Sequence, residues 1–141
     1  KLRRLYIPQK LKIETLEWGT YLQKTAQGEH QALLGGWVSG TSDADIVFFP
    51  LLHSSSHGGA GNRAFYHNPK VDELLSKARV SINQEERKEL YKEVQIIAQE
   101  EVPYYVTAYK SQNAALQKNI ENFKLKPAGH HRLYGVKFKT N

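Results

Sequence analysis

The chain has 141 residues, 40% of them hydrophobic and 24% charged, with 20 Lys and Arg against 14 Asp and Glu. That length is enough for one domain with a real core, and the balance is that of a globular protein, not a disordered one. No run approaches the roughly 18 apolar residues of a membrane span. Cys and Met are absent, so disulfides and thiolate metal sites are excluded, while the compartment stays open. A net charge of +6 admits nucleic acid as a partner. The basic residues crowd toward the two ends, however, with no arginine-rich helix and no aromatic–basic interleaving.

Residues 1–10 have weak periodicity and a Pro at position 8, which marks a frayed or relic segment. Lys12 to Leu16 alternates and reads as a strand. Trp18, Tyr21, Leu22 and Thr25 then fall at helical spacing, with Gly28 as the stop. The apolar run from Ala32 to Val38 reads as a buried strand over Gln31–Val38, completing a strand–helix–strand order expected of a right-handed parallel crossover. It ends in the small polar turn Ser39-Gly40-Thr41-Ser42, after which Asp43 and Asp45 are expected to cap a short helix reaching Leu52 and disturbed by Pro50. A strand that passes through such a turn into a helix is a common ligand position.

The Ser- and Gly-rich stretch His53 to Asn62 reads as a long functional loop. Asn68 caps a helix with Pro69 in its first turn and a buried stripe of Val71, Leu74, Leu75 and Ala78. Asn83 caps the next, with Glu86 as its capping-box partner and Leu90, Val94 and Ile97 on its inner face. Glu85, Lys88, Glu89, Lys92 and Glu93 form its solvated face. Pro103 ends this helix. Tyr104–Tyr109 and Phe123–Lys126 read as strands, separated by a turn at Asn119–Asn122, and Tyr134, Val136 and Phe138 share one face of a last alternating segment. The elements together imply an α/β fold, a mixed sheet with flanking helices.

No catalytic set is present. His53 and His57 read as loop residues, His130 and His131 are adjacent and would point apart in a strand, and no metal-ligand spacing exists. Asp43 and Asp45 are explained by a helix start, Ser39 lies outside a nucleophile elbow, and the glycines at 58, 59 and 61 lack the ending of a phosphate loop. What remains is recognition: Trp37, Phe65, Tyr66 and the aromatic strand with Tyr104, Tyr105 and Tyr109 as flat walls, and Ser39, Gly40, Thr41, Asn62 and Arg63 as polar fixing groups. The plainer role for the aromatics is core packing, and for Arg63 a salt bridge or loop fixing. We expect no cofactor and no metal.

Several stretches carry a resemblance in order and spacing: Leu11 to Leu22, Gly36-Trp37 to Asp45, Asn62 to Pro69, Glu86 to Tyr91, Glu101-Val102-Pro103 and Pro127 to Val136. Together they resemble the dipeptide- and oligopeptide-binding family of extracytoplasmic solute-binding proteins, from about Leu11 onward. The resemblance implies part of one lobe of a two-lobed, class II periplasmic-binding-protein fold. Such proteins close on a ligand between the lobes and deliver it to the membrane permease of an ABC importer. Residues 1–141 are then a single domain, the C-terminal lobe portion of a larger protein, monomeric and not an enzyme. The absence of an initiator Met agrees with that expectation.

The family's setting is periplasmic or lipid-anchored. In many of its peptide-binding members an Asp stands three positions after the Trp and pairs with the ligand's amino terminus; that position is Gly40 here. The Ser39-Gly40-Thr41 turn is similar to members that include glutathione-binding ones. The alternative is a basic nucleic-acid-binding domain.

Overall fold

The computed structural model describes residues 12–41, 43–126 and 133–139. The relic segment 1–10, Ser42, His130, His131 and most of the Pro127 to Val136 stretch lie outside them. Four helices dominate: α1 (Trp18–Ala26), α2 (Asp45–Leu52), α3 (Pro69–Val80) and α4 (Gln84–Glu101). Between α2 and α3 the loop winds through two single 3-10 turns, Ser54–Ser56 and Gly58–Ala60. Two short strands, β1 (Ile120–Glu121) and β2 (Lys137–Phe138), pair antiparallel with Ile120 opposite Phe138.

The helix ends follow from local chemistry. The Asn68 carboxamide accepts from the backbone N–H groups of Lys70 and Val71, and Asn83 does the same for Glu85 and Glu86. Glu86 does not close a capping box; its carboxylate accepts from the Ser81 hydroxyl instead, and that hydroxyl in turn accepts from Asn83 N–H. Glu17 starts α1 by accepting from Gly19 and Thr20 N–H. Gly28, at φ 75°, turns the chain off the end of that helix. Helix α4 ends differently, on Val102 at φ 50°, a left-handed conformation costly for a β-branched residue.

The core is the junction of α2, α3 and α4. Val71, Leu74, Leu75 and Ala78 present the stripe that the periodicity predicts, and Leu52, Tyr91 and Val94 meet it. Phe48, Phe49, Leu90 and Ile97 pack around its rim. Helix α1 rests on the loop rather than on this core: a Cβ at Gly58 would stand 2.4 Å from the Ala26 carbonyl oxygen.

The sheet is where sequence and structure differ most. Lys12–Leu16, Gln31–Val38, Tyr104–Tyr109 and Phe123–Lys126 carry strand patterns but form no ladder among the described residues. The apolar run from Ala32 to Val38 is not buried; Leu34 is 81% exposed. Alternation records which face a strand would bury, but a strand also needs a neighbour's backbone groups, and here none lies alongside.

Truncating Leu75, which is 0% exposed, to Ala should cost about 2–5 kcal/mol in urea unfolding. Ile82→Ala, at 97% exposed, should stay within about 0.5 kcal/mol. Equal effects would place the core elsewhere.

Candidate functional site

The expected ligand residues fall into two groups on either side of α2. The first is the turn from Trp37 to Asp45. Within a helix the Ile46 carbonyl would bond the N–H four residues on, but that residue is Pro50, which has none. The Trp37 indole N–H takes the vacant acceptor at 3.0 Å. The ring's polar edge is thereby fixed to α2, while the side chain stays 41% exposed. This is the geometry of a flat wall with one edge anchored.

Beyond Trp37 the turn is tied by a relay of short bonds. The Ser39 hydroxyl donates to the Thr41 carbonyl, the Thr41 hydroxyl accepts from Asp43 N–H, and Asp43 Oδ1 accepts from Asp45 N–H at 2.9 Å. Asp43 also pairs with Arg87 of α4 at 2.8 Å. The Asp43 carboxyl is held below its usual range chiefly by the Asp45 N–H, which outweighs the opposing push of desolvation, and Arg87 adds to the lowering.

Capping therefore falls to Asp43 alone. Asp45 is the first residue of α2, and the cap position, Ala44, offers no side-chain bond. Asp45 instead holds Arg79 of α3, at 2.9 Å from its Nη2. That guanidinium lies 3.4 Å over the Phe49 ring, whose own stacking partner is His53. Gly40 is open: a Cβ there would meet nothing within 4 Å among the described residues, and its φ is not left-handed.

The second group is in the loop after α2. Asn62 is fully buried at 0% exposure, and its side chain carries three bonds. Its amide donates to the carbonyls of His53 and Tyr66 and its oxygen accepts from Tyr66 N–H. Asn62 is thus the loop's internal brace, not a ligand contact. Phe65 adopts φ 52°, rare for a bulky residue, with its ring against Gly28 and near the His57 ring. A Cβ at Gly28 would come within 3.2 Å of that ring, so this glycine serves both the turn and the approach.

Arg63 donates from Nε to the buried Thr25 hydroxyl at 3.0 Å, and its carbonyl bonds His30 Nε2 at 3.0 Å. The Tyr104 hydroxyl accepts from the adjacent Ala64 N–H. Among the described residues no hydrogen bond, ion pair or ring contact joins the Trp37 group to the Arg63 group. The sequence does not single out His30, and it marks Thr25 only as part of a helix stripe and Tyr104 only as an aromatic wall; the bonds they make here depend on partners 33 to 40 positions away, and no local spacing encodes them.

Histidines at 53 and 57 work inside the loop. His53 Nδ1 accepts from Ser55 N–H, and His57 Nε2 donates to the Tyr66 carbonyl. Asp72 of α3 receives both the N–H and the hydroxyl of Ser54. Among the described residues no three His, Asp or Glu side chains gather as a metal set, and no helix is long and apolar enough to cross a membrane.

Comparison with known proteins supplies the class. The chain is 34% identical over 122 residues to the heme-binding protein A of Haemophilus influenzae, covering 86% of this chain and 22% of that protein. It is 32% identical over 127 residues to di/tripeptide-binding protein 3 of Pseudomonas aeruginosa, covering 90% of this chain and 24% of that one. A solved dipeptide-binding protein from Pseudoalteromonas sp. SM9913, in complex with Met-Leu, superposes with a TM-score of 0.75 at 31% identity, over 88% of this chain and 24% of its own. No family model matches the sequence.

The chain therefore belongs with the dipeptide- and oligopeptide-binding family of solute-binding proteins, and its fold is that of part of a lobe of their class II architecture. It spans about a quarter of the length of the relatives it matches. Those relatives are binding proteins, and nothing in them supports the nucleic-acid alternative.

Asn62→Ala should cost roughly 3 kcal/mol in thermal or urea unfolding, because it strands buried partners that water does not reach. A loss under about 0.5 kcal/mol would show that the loop holds itself without this amide.

A pH effect follows from the Tyr66 hydroxyl, which donates to Glu101 at 2.6 Å. Burial, then Glu101, pushes Tyr66 up to about 12 from 10.0. Its contribution to stability is full below 10.0 and is lost as pH rises toward about 12. Glu101 is lowered, first by Tyr66 and then by Asn68, so its contribution holds above the usual carboxylate range and is lost as pH falls through the lowered value. In Tyr66→Phe, carboxyl 13C NMR should find Glu101 titrating closer to its ordinary range. An unchanged titration would remove the hydroxyl as the cause.

Proposed function

We propose that this chain forms part of the ligand cleft of an extracytoplasmic receptor for an ABC importer, one that binds peptides or a peptide-like solute such as glutathione and performs no chemistry on it. In this proposal residues 1–141 are a single unit, the C-terminal lobe portion of a two-lobed monomer, periplasmic or lipid-anchored, which hands its ligand to the membrane permease. The observation that carries it is the superposition on the dipeptide-binding protein solved with Met-Leu. The turn from Trp37 to Thr41 agrees with that role: an exposed indole fixed at one edge stands beside a glycine with free space in front of it. A rigid wall costs a ligand little ordering on binding.

Gly40 shapes the specificity. With no carboxylate at this position, a ligand's ammonium group has no partner in the turn, and a backbone lined by small groups admits a bulkier or uncharged end. Phe65 supplies an apolar wall on the far side of α2, and the loop braced by Asn62 fixes where that wall stands.

Calorimetry on the full two-lobed receptor containing this chain, with di- to pentapeptides, glutathione and hemin, tests the proposal. Binding of a peptide or glutathione is the expected result; binding of hemin alone, or of none, would overturn it. The isolated 141 residues should bind no peptide at micromolar concentration, since closure between two lobes is what buries the ligand. Gly40→Asp in the receptor should raise affinity for free-amine peptides relative to N-acetylated ones. The space open at Gly40 makes this substitution free of steric strain, so an unchanged ratio would move the amino end of the ligand away from this turn.

A further inference from the structure

Three arginines lie among the described residues, and two of them are paired: Arg79 with Asp45 and Arg87 with Asp43. Arg63 has no carboxylate partner among the described residues; of the two plainer roles sequence offers, a salt bridge or loop fixing, its contacts are those of the second. It is nevertheless held firmly. Nε donates to Thr25 Oγ1 at 3.0 Å, and Thr25 is itself buried, with its hydroxyl donating to the Tyr21 carbonyl at 2.7 Å. The Arg63 backbone is fixed from both sides, by His30 on its carbonyl and by Tyr104 on the next N–H.

A guanidinium anchored through Nε has lost most of its rotamer freedom before any ligand arrives, and its two Nη groups point away from the anchor as a planar fork. Those groups bond nothing among the described residues, and Arg63 as a whole is only partly buried. The Tyr104 hydroxyl, near enough to feel the Arg63 charge, uses a lone pair on Ala64 N–H and keeps its proton to donate. Cationic donors held in place without an anion favour a carboxylate, which accepts two parallel N–H bonds from such a fork.

We propose that the Arg63 Nη fork, with the Tyr104 hydroxyl beside it, is the position that receives a carboxylate of the ligand, and that the receptor therefore selects ligands by an anionic end. This rests on the proposal above that the chain is part of a receptor for peptide-like solutes. It also matches Gly40, because a cleft that lacks a partner for the ligand's amine has to find its charge recognition at another end.

The test uses a carboxylate probe that carries no amine. In 15N-arginine-labelled chain, N-acetylglycine should shift the Arg63 Nε–Hε signal saturably, and N-acetylglycinamide should not. Arg79 and Arg87, already paired, should stay in place. Arg63→Lys, which keeps the charge and removes the fork, should weaken glutathione or peptide binding by the full receptor by about tenfold or more.

Equal shifts at all three arginines, or equal shifts with the amide probe, would mean general ionic screening and would overturn the site. Receptor binding that survives Arg63→Lys within twofold would sink the site while leaving the receptor proposal standing. A specific Arg63 shift in a receptor that binds no peptide-like solute would do the reverse.

Discussion

The described fold depends on one buried amide. Asn62 closes the loop between α2 and α3 by bonding residues on both sides of itself, and it does so where water does not reach, so each bond is costly to lose. Everything downstream inherits that closure. The loop carries Gly58 against the end of α1, Phe65 against Gly28, and Arg63 onto Thr25. Without it α1 would have nothing to rest on, because the α2–α3–α4 core does not extend to it.

A second constraint comes from Pro50. Its missing N–H leaves the Ile46 carbonyl open, and the vacancy is filled from outside the helix by Trp37. On its other side Pro50 crowds Gly61, where a Cβ would come within 2.7 Å of the Pro50 carbonyl oxygen. One residue in the middle of α2 thus fixes the aromatic wall at one end of the helix and the tight loop at the other. The two candidate ligand groups share no contact, yet both take their positions from the same short helix.

What was legible in the sequence is what local chemistry decides. Asn68 and Asn83 announce helix starts because their side chains bond N–H groups two or three residues on, and the α3 stripe is readable because burial repeats every turn. The strands were not legible in the same way. Residues 12–16, 31–38 and 104–109 have strand composition, but pairing is a property of two segments, and periodicity sees one. The α/β class read from those elements is supported instead by comparison with the solved relatives, which spans whole stretches.

Asp45 illustrates the same limit at the scale of a side chain. Its spacing suits a cap equally well as Asp43 does, and only Arg79, 34 positions away, decides that it becomes an ion-pair partner. Asn62 looked like a polar ligand group for the same reason, since burial is not written in a Ser- and Gly-rich loop.

Function in this account is a division of labour along α2. An indole bonded to the Ile46 carbonyl and an exposed glycine precede the helix, and an apolar ring and a guanidinium with no carboxylate partner among the described residues follow it. Homology places this arrangement in a family of solute-binding proteins. The most direct measurement is a crystal structure of the two-lobed receptor with bound glutathione or dipeptide. The ligand backbone is expected to pass the Trp37–Thr41 turn, with the indole face against it. Ligand density bounded by other surfaces, with Trp37 facing solvent or a neighbouring strand, would contradict it.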